Sequence, residues 1–195
     1  MNSPEFFRAL PTIQTPRLTL RALRESDAAD VFAYASDAEL CRYTTWAPHE
    51  SLADARTFLL FVLSQYEAGK PANWGIVQNS SGKLVGTCGF MSHSVQHERA
   101  ELGYAIARSL WGQGYMTEAV RAAIGCGFRS LPLHKIDAHC DARNMGSARV
   151  MEKSGMSFEG LLRQHALFKG ERRDVRVYGI LRDDWRKSLP MSLQT

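Results

Sequence analysis

Gly112 and Gly114 stand one residue apart in Ser109-Leu110-Trp111-Gly112-Gln113-Gly114-Tyr115-Met116-Thr117-Glu118-Ala119, immediately ahead of a run with helical spacing. A helix N-terminus carries backbone N–H groups without partners and roughly half a positive charge. Glycine removes the side chain that would keep an anion away from those amides. The chemistry this spacing permits is phosphate binding; the bland reading is a tight turn and nothing more. The third glycine of a dinucleotide fingerprint is replaced by Thr117, and no G-x-x-x-x-G-K-[ST] loop occurs. The common nucleotide folds are therefore disfavoured, and a phosphate would arrive on another carrier.

Several elements must position such a cradle. Residues 99–107 read as the strand leading into it, and the helix from Tyr115 carries Thr117, Val120, Ile124, Gly127, Phe128 and Leu131 on one stripe. Upstream, residues 16–23 alternate as a strand. Ser26 reads as the cap of a helix with Val31, Phe32 and Ala35 on its apolar face. Ser51 with Asp54 resembles a capping box, opening a helix with Ala55, Phe58, Leu59, Val62 and Tyr66 that ends near Gly69-Lys70-Pro71. Residues 73–78 and 84–91 form an expected hairpin around Asn79-Ser80-Ser81-Gly82. Downstream come a strand at 135–140, a helix at 144–154 closed by Gly155, and a hairpin of 158–168 with 175–181 around Lys169-Gly170-Glu171. The early strands pair antiparallel, whereas the strand–helix–strand portion requires a parallel crossover. A mixed α/β sheet with helices on both faces is the expected architecture.

The chain has 195 residues, 45% hydrophobic and 23% charged, which suits one globular domain over 1–195 with a core at about 16–187. No apolar run approaches the ~20 residues of a membrane span, and no secretory signal opens the sequence, so a cytoplasmic location is expected, with no membrane partner. Cys41, Cys88, Cys126 and Cys140 form no C-x-x-C pair, and the six histidines show no metal spacing; free thiols and no metal are expected. A net charge of +4 favours an anionic partner. No basic tract with interleaved aromatics points to nucleic acid, and a phosphorylated cofactor explains the same charge.

The combined pattern resembles the GNAT superfamily of acyl-CoA-dependent N-acetyltransferases. It is most similar to the branch containing the N-terminal alanine/serine acetyltransferases of ribosomal proteins. The residues that carry the resemblance are Glu101-Leu102-Gly103-Tyr104, Trp111 to Ala119, Asp141-Ala142-Arg143-Asn144-Met145-Gly146-Ser147-Ala148-Arg149, Glu152-Lys153-Ser154-Gly155-Met156, and the ending from Asp174 to Trp185. The resemblance implies a mixed, mostly antiparallel sheet of about seven strands. It implies acetyl-CoA as cosubstrate, with its pyrophosphate on the amides of Gly112, Gln113, Gly114, Tyr115, Met116 and Thr117. It further implies the pantetheine arm along a free strand edge at Ile106, Ala107 and Arg108, with Asn144 touching that arm. The family's first motif position is Ser109 here, with Arg108 one residue earlier.

Acetyl transfer to an amine needs a proton acceptor, a polarised thioester and a proton for the thiolate. Glu101 is the candidate base: it alternates with Gly103 and Ala105, and a partly buried carboxylate titrates upward. The alternative is a structural carboxylate holding a turn or an Arg. Glu118 is explained by the helix dipole. Many superfamily members place a Tyr where this chain has Met151, so Ser147 is the candidate for hydrogen-bonding or protonating the CoA sulfur; close packing is the alternative. Asn144 caps its helix. Cys140 falls in step with Ile136 and Ala138 as a buried thiol, and His139, with no evident Ser or Cys partner, reads as a surface residue. Tyr43 and Trp46 line an acceptor mouth or cover the core. Arg143, Arg149 and Lys153 either meet a 3′-phosphate or are solvated.

The sequence thus points to an acetyl-CoA-dependent N-acetyltransferase, monomer or homodimer, acting by direct transfer in a ternary complex. The expected acceptor is a protein N-terminal α-amine, such as that of a ribosomal protein. The alternatives are a small amine (polyamine, aminoglycoside or amino-acid derivative), a noncatalytic CoA-binding module, and a nucleic-acid-binding domain.

Overall fold

The computed structural model describes residues 2–189. The chain runs α1 (Ser3–Arg8), β1 (Ile13–Gln14), β2 (Leu18–Ala22), α2 (Ala28–Ala35), α3 (Ala38–Cys41), α4 (Leu52–Ala68), β3 (Asn73–Gln78), β4 (Leu84–Ser94) and β5 (Arg99–Ile106). It continues through α5 (Tyr115–Ser130), β6 (Lys135–Asp141), α6 (Met145–Lys153), β7 (Ser157–Phe168), β8 (Glu171–Leu181) and α7 (Arg182–Ser188). One eight-stranded sheet has the order β1-β2-β3-β4-β5-β6-β8-β7. Every pairing is antiparallel except β5 with β6, the crossover that the strand–helix–strand pattern demands. The strand beyond the expected seven is β1, two residues long and too short for alternation to reveal.

The sequence pattern passes over α1, yet its signal is present. Asn2 Oδ1 accepts from the Glu5 N–H and Glu5 Oε2 accepts from the Asn2 N–H, closing a reciprocal box. That helix buries Phe6 and Phe7, which meet Trp74 and Phe90 edge-on in an aromatic cluster at one face of the sheet. Ser26 is not the cap expected. It lies inside a single 3₁₀ turn, Glu25–Asp27, and buried Asp27 ends that turn. Asp27 accepts both guanidinium arms of Arg21 at 2.8 and 2.7 Å and the Arg24 N–H at 2.8 Å. The following helix starts from Asp27 with no side-chain cap, because the carboxylate is turned back to Arg21 and the Arg24 N–H. The Ser51–Asp54 box is present, with Asp54 Oδ2 accepting from the Ser51 N–H at 2.9 Å.

The feature that organises the site is a fork in the sheet. The parallel pairing of β5 with β6 covers only Arg99↔Lys135 through Leu102↔Ala138. β5 runs on to Ile106 and β6 to Asp141 without pairing each other. Ala107 donates to Val85 O at 2.8 Å, so the odd-numbered residues of β5 bond towards β4. The backbone groups of Tyr104 and Ile106 therefore face the open fork. Arg182 holds the far end of α5, donating to the carbonyls of Phe128, Leu131 and Leu133. At the other side of the fork, Lys169 at the β7–β8 turn donates to Cys41 O, strapping that hairpin to α3. No helix among the described residues is long and apolar enough to cross a membrane.

Candidate active site

The cradle is built from backbone. Gly112 (φ 73°) and Gly114 (φ 80°) both occupy the left-handed region, which glycine enters without strain. Gly114 is the N-cap of α5, and no side chain caps that helix. A Cβ built on Gly112 would meet nothing within 4 Å, so open space lies above the turn. The amides of Gly112 to Thr117 and this space fit a diphosphate. Gln113 closes the turn on itself by donating from Nε2 to Ser109 O at 2.8 Å.

Arg17 adds a cation that no motif predicted. Its Nε lies 2.6 Å from Glu118 Oε2, its Nη1 donates to Gln113 O at 3.0 Å, and its guanidinium stacks 4.1 Å over the Tyr115 ring. A Cβ on Gly114 would lie 3.6 Å from Arg17 Nη2. The first-turn acid Glu118 was the only local hint of a partner. Glu118 also accepts from Thr15 Oγ1 and the Arg17 N–H. Burial pushes its carboxyl up, but these donors outweigh it and hold the group below the usual range. Glu118 is thereby a structural acid.

Of the predicted edge, the structure brings Ile106 to the fork. The Ala107 N–H is committed to β4, and the Arg108 side chain pairs with Asp37 Oδ2 at 2.8 Å. The Ile106 carbonyl accepts from Trp111 Nε1 at 2.9 Å, which leaves its N–H as the group offered to the fork.

Across the fork, Tyr104 and Ser147 meet. The Tyr104 hydroxyl donates to Ser147 O at 3.1 Å and lies 2.9 Å from Ser147 Oγ. Burial raises the phenol pKa strongly, with the Ser147 contact drawing it partly back, so the hydroxyl stays protonated at neutral pH. Asn144 caps α6 as expected, accepting from the Ser147 N–H at 3.0 Å. Met151 is buried in the core. A phenol therefore reaches this helix from β5 instead of from α6 itself. Cys140 is buried as expected, and burial pushes its thiol up to about 11.

On the opposite face of β5, Glu101 stands beside Asp137 in the parallel register, and His139 follows on the same face of β6. His139 Nδ1 lies 3.6 Å from Glu101 Oε1, with the side chains 32% and 36% exposed. His139 is exposed, as expected, and the parallel register sets the Glu101 carboxylate beside it, a neighbour that the sequence pattern does not reveal. Ser92 Oγ is 3.5 Å from Glu101 Oε2. Asp137 is buried, its Oδ2 3.5 Å from Arg99 Nε and its Oδ1 without a partner among the described residues. Burial raises its pKa, with Arg99, Lys135 and His139 opposing and Glu101 reinforcing.

Trp46 packs against the core, while the Tyr43 ring lies between the guanidiniums of Arg42 and Arg143 at 5.3 and 5.5 Å. Arg143 is committed to Asp141, at 2.9 and 2.7 Å. Among the described residues no group of three or more His, Cys, Asp or Glu side chains is placed to hold a metal.

Residues 17–157 match the sequence profile described as "Acetyltransferase (GNAT) domain". The "Uncharacterized N-acetyltransferase p20" of Bacillus licheniformis is 32% identical over 90% of this chain and 99% of its own. The "[Ribosomal protein uS5]-alanine N-acetyltransferase" of Escherichia coli (strain K12) is 26% identical over 89% of this chain and 92% of its own. Among solved structures, RimL, a "Ribosomal L7/L12 alpha-N-protein acetyltransferase in complex with Coenzyme A", superposes with a TM-score of 0.79. The likeness covers 88% of this chain and 98% of that one at 22% identity, and so speaks for the shared fold.

Proposed function

The chain belongs to the GNAT acetyltransferase family, and from that premise we propose that it transfers the acetyl group of acetyl-CoA to the N-terminal α-amine of a protein, such as a ribosomal protein. The observation that carries this reading is the fork, with an uncapped glycine-lined helix mouth at its rim. Acetyl-CoA supplies the activated acyl group. Its diphosphate fits the amides of Gly112 to Thr117, with Arg17 alongside, and the Ile106 N–H is the donor available to a carbonyl oxygen gaining charge.

The chain's own groups divide the proton work between the two faces of β5. Glu101, directly or through an intermediary, draws the proton from the acceptor amine; a free α-amine ordinarily titrates at about 7.7–8.0 and asks for only a modest base. Tyr104 and Ser147, hydrogen-bonded on the other face, supply the proton to the departing thiolate. The Tyr104 phenol supports a leaving-group acid reaching the site from β5, since Met151 offers none from α6. The protein-terminus acceptor rests on the resemblance and on the named activity of the uS5 enzyme. Small amines are the competing acceptors of the same chemistry.

The test is a steady-state CoA-release assay on a panel of N-terminal peptides, polyamines, aminoglycosides and amino-acid derivatives, beside calorimetry with acetyl-CoA. Turnover on peptides with free α-amines, and none on N-blocked ones, is expected. Tight acetyl-CoA binding with no turnover on any amine overturns the reading in favour of a binding module. Salt-sensitive RNA or DNA binding without acetyl-CoA affinity overturns it in favour of nucleic-acid recognition.

A further inference from the structure

The geometry points to His139 as the group that takes the acceptor's proton, with Glu101 as the positioning carboxylate behind it. The inference rests on the acetyl-transfer reading and refines its proton path. The last pair across the parallel strands is Leu102↔Ala138, so Glu101 is one residue before the fork opens and His139 one residue after. The two side chains share a face, and Nδ1 of the imidazole stands 3.6 Å from Glu101 Oε1. Gly103 and Ala105 follow Glu101 on that face, and the Met91 side chain lies over Gly103. Val177 stands opposite His139 on β8 and brings no charge. The charged neighbours are Glu101 and buried Asp137, with Arg99 beside Asp137; Asp141, two residues further on the same face of β6, is paired with Arg143, and Glu159, lying over Gly179 opposite Asp137, is paired with Lys135.

This arrangement divides labour between the two ring nitrogens. At 3.6 Å the pair stands just beyond hydrogen-bond distance, so a small side-chain adjustment lets Glu101 accept the Nδ1–H and favour the tautomer in which Nε2 is the free base. The Nε2 lone pair takes one proton from the acceptor's ammonium, giving a neutral amine and an imidazolium held by the carboxylate. The amine nitrogen then bonds to the thioester carbonyl carbon, the C–S bond breaks, and the nitrogen's surplus proton passes to sulfur through Ser147 and Tyr104. The imidazolium returns its proton to water, so acetamide, thiol and one released proton balance the reaction.

His139→Ala should lower kcat roughly 100-fold with acetyl-CoA affinity unchanged, and added imidazole should restore about tenfold of that. The His139→Ala/Glu101→Gln double variant should be no slower than His139→Ala alone, because the two act as one unit. A second measurement needs no acceptor: long-range ¹H–¹⁵N NMR of His139 should show the Nδ1–H tautomer in the resting protein, and its loss in Glu101→Gln. A kcat for His139→Ala within about threefold of the parent overturns the inference. So does a loss that imidazole does not rescue, or a tautomer indifferent to Glu101→Gln. No turnover by the parent protein on any amine defeats the acetyl-transfer reading and this refinement together. An active parent with an unaffected His139→Ala defeats the refinement alone.

Discussion

The β2–α2 shoulder and the fork treat buried polarity in opposite ways. At the shoulder, buried Asp27 accepts two hydrogen bonds from Arg21 and one from the Arg24 amide. At the fork, Asp137 is equally buried but has one oxygen with no partner among the described residues, the mouth of α5 has no side-chain cap, and the far edge of β5 has no neighbouring strand. Left-over hydrogen-bonding capacity costs stability; single unpartnered atoms also occur at His49 and His93, but at the fork a carboxylate oxygen, a helix mouth and a strand edge are left open together. The difference teaches where to expect ligand and chemistry: in the region the protein leaves incomplete.

The strongest way to break this comparison is to empty the saturated side. Asp27→Ala strands the Arg21 guanidinium and should cost about 3 kcal/mol, a fall in Tm of roughly 6–12 °C. Acetyl-CoA affinity, measured by calorimetry, should not change. The carboxyl's own titration gives the sign with pH. Burial raises its pKa, yet the Arg21 and Arg24 hydrogen bonds bring it below 3.8. Its stabilisation is present above the unfolded value and is lost as pH falls through the lower folded one.

Filling the incomplete side should act on binding instead. Gly114→Asp sets a carboxylate over the amides and forces a side chain into the left-handed region. Acetyl-CoA affinity should fall by about 100-fold, while the thermal midpoint moves only a few degrees. Equal losses of fold and affinity would count against a cradle.

Asn144 tests the neighbouring helix mouth, which the protein does cap. Asn144→Ala should cost about 1 kcal/mol of stability, read by denaturant unfolding. Its affinity loss should be smaller than that of Gly114→Asp.

The smallest effect belongs to Asp137. Its pKa is raised, so folding is penalised at neutral pH, and that penalty shrinks as pH falls from the raised folded value towards 3.8. Asp137→Asn should therefore raise the midpoint by a degree or two at pH 7, roughly half a kcal/mol. The gain should narrow in acid. A destabilised Asp137→Asn at neutral pH would mean that Arg99 outweighs burial.

Much of this was legible in the residues, and the misses share a cause. The helix mouth could be read because positive φ demands glycine at Gly112 and Gly114 whatever surrounds them. Asn144 could be read because a cap reaches only three residues along the chain. The Glu101–His139 and Tyr104–Ser147 meetings could not, since each depends on how a crossover returns β6 and α6 to β5. Alternation gives a strand's two faces but not the register of a distant parallel neighbour. Ser26 failed for a local reason: a 3₁₀ turn, held by Asp27 accepting from the Arg24 N–H, takes up Ser26 and moves the helix start one residue on. Arg17 belonged to a strand reading that left its side chain without a destination.

Only four residue pairs stitch the first five strands to the last three. Beyond them the join is a seam, closed at its outer end by the Lys169–Cys41 strap and within by the Tyr104–Ser147 contact. A sheet divided this way can breathe along the seam at a fraction of the cost of unfolding. A molecule lying in the gap would act as the missing thread, coupling the stiffness of the two halves to its own presence.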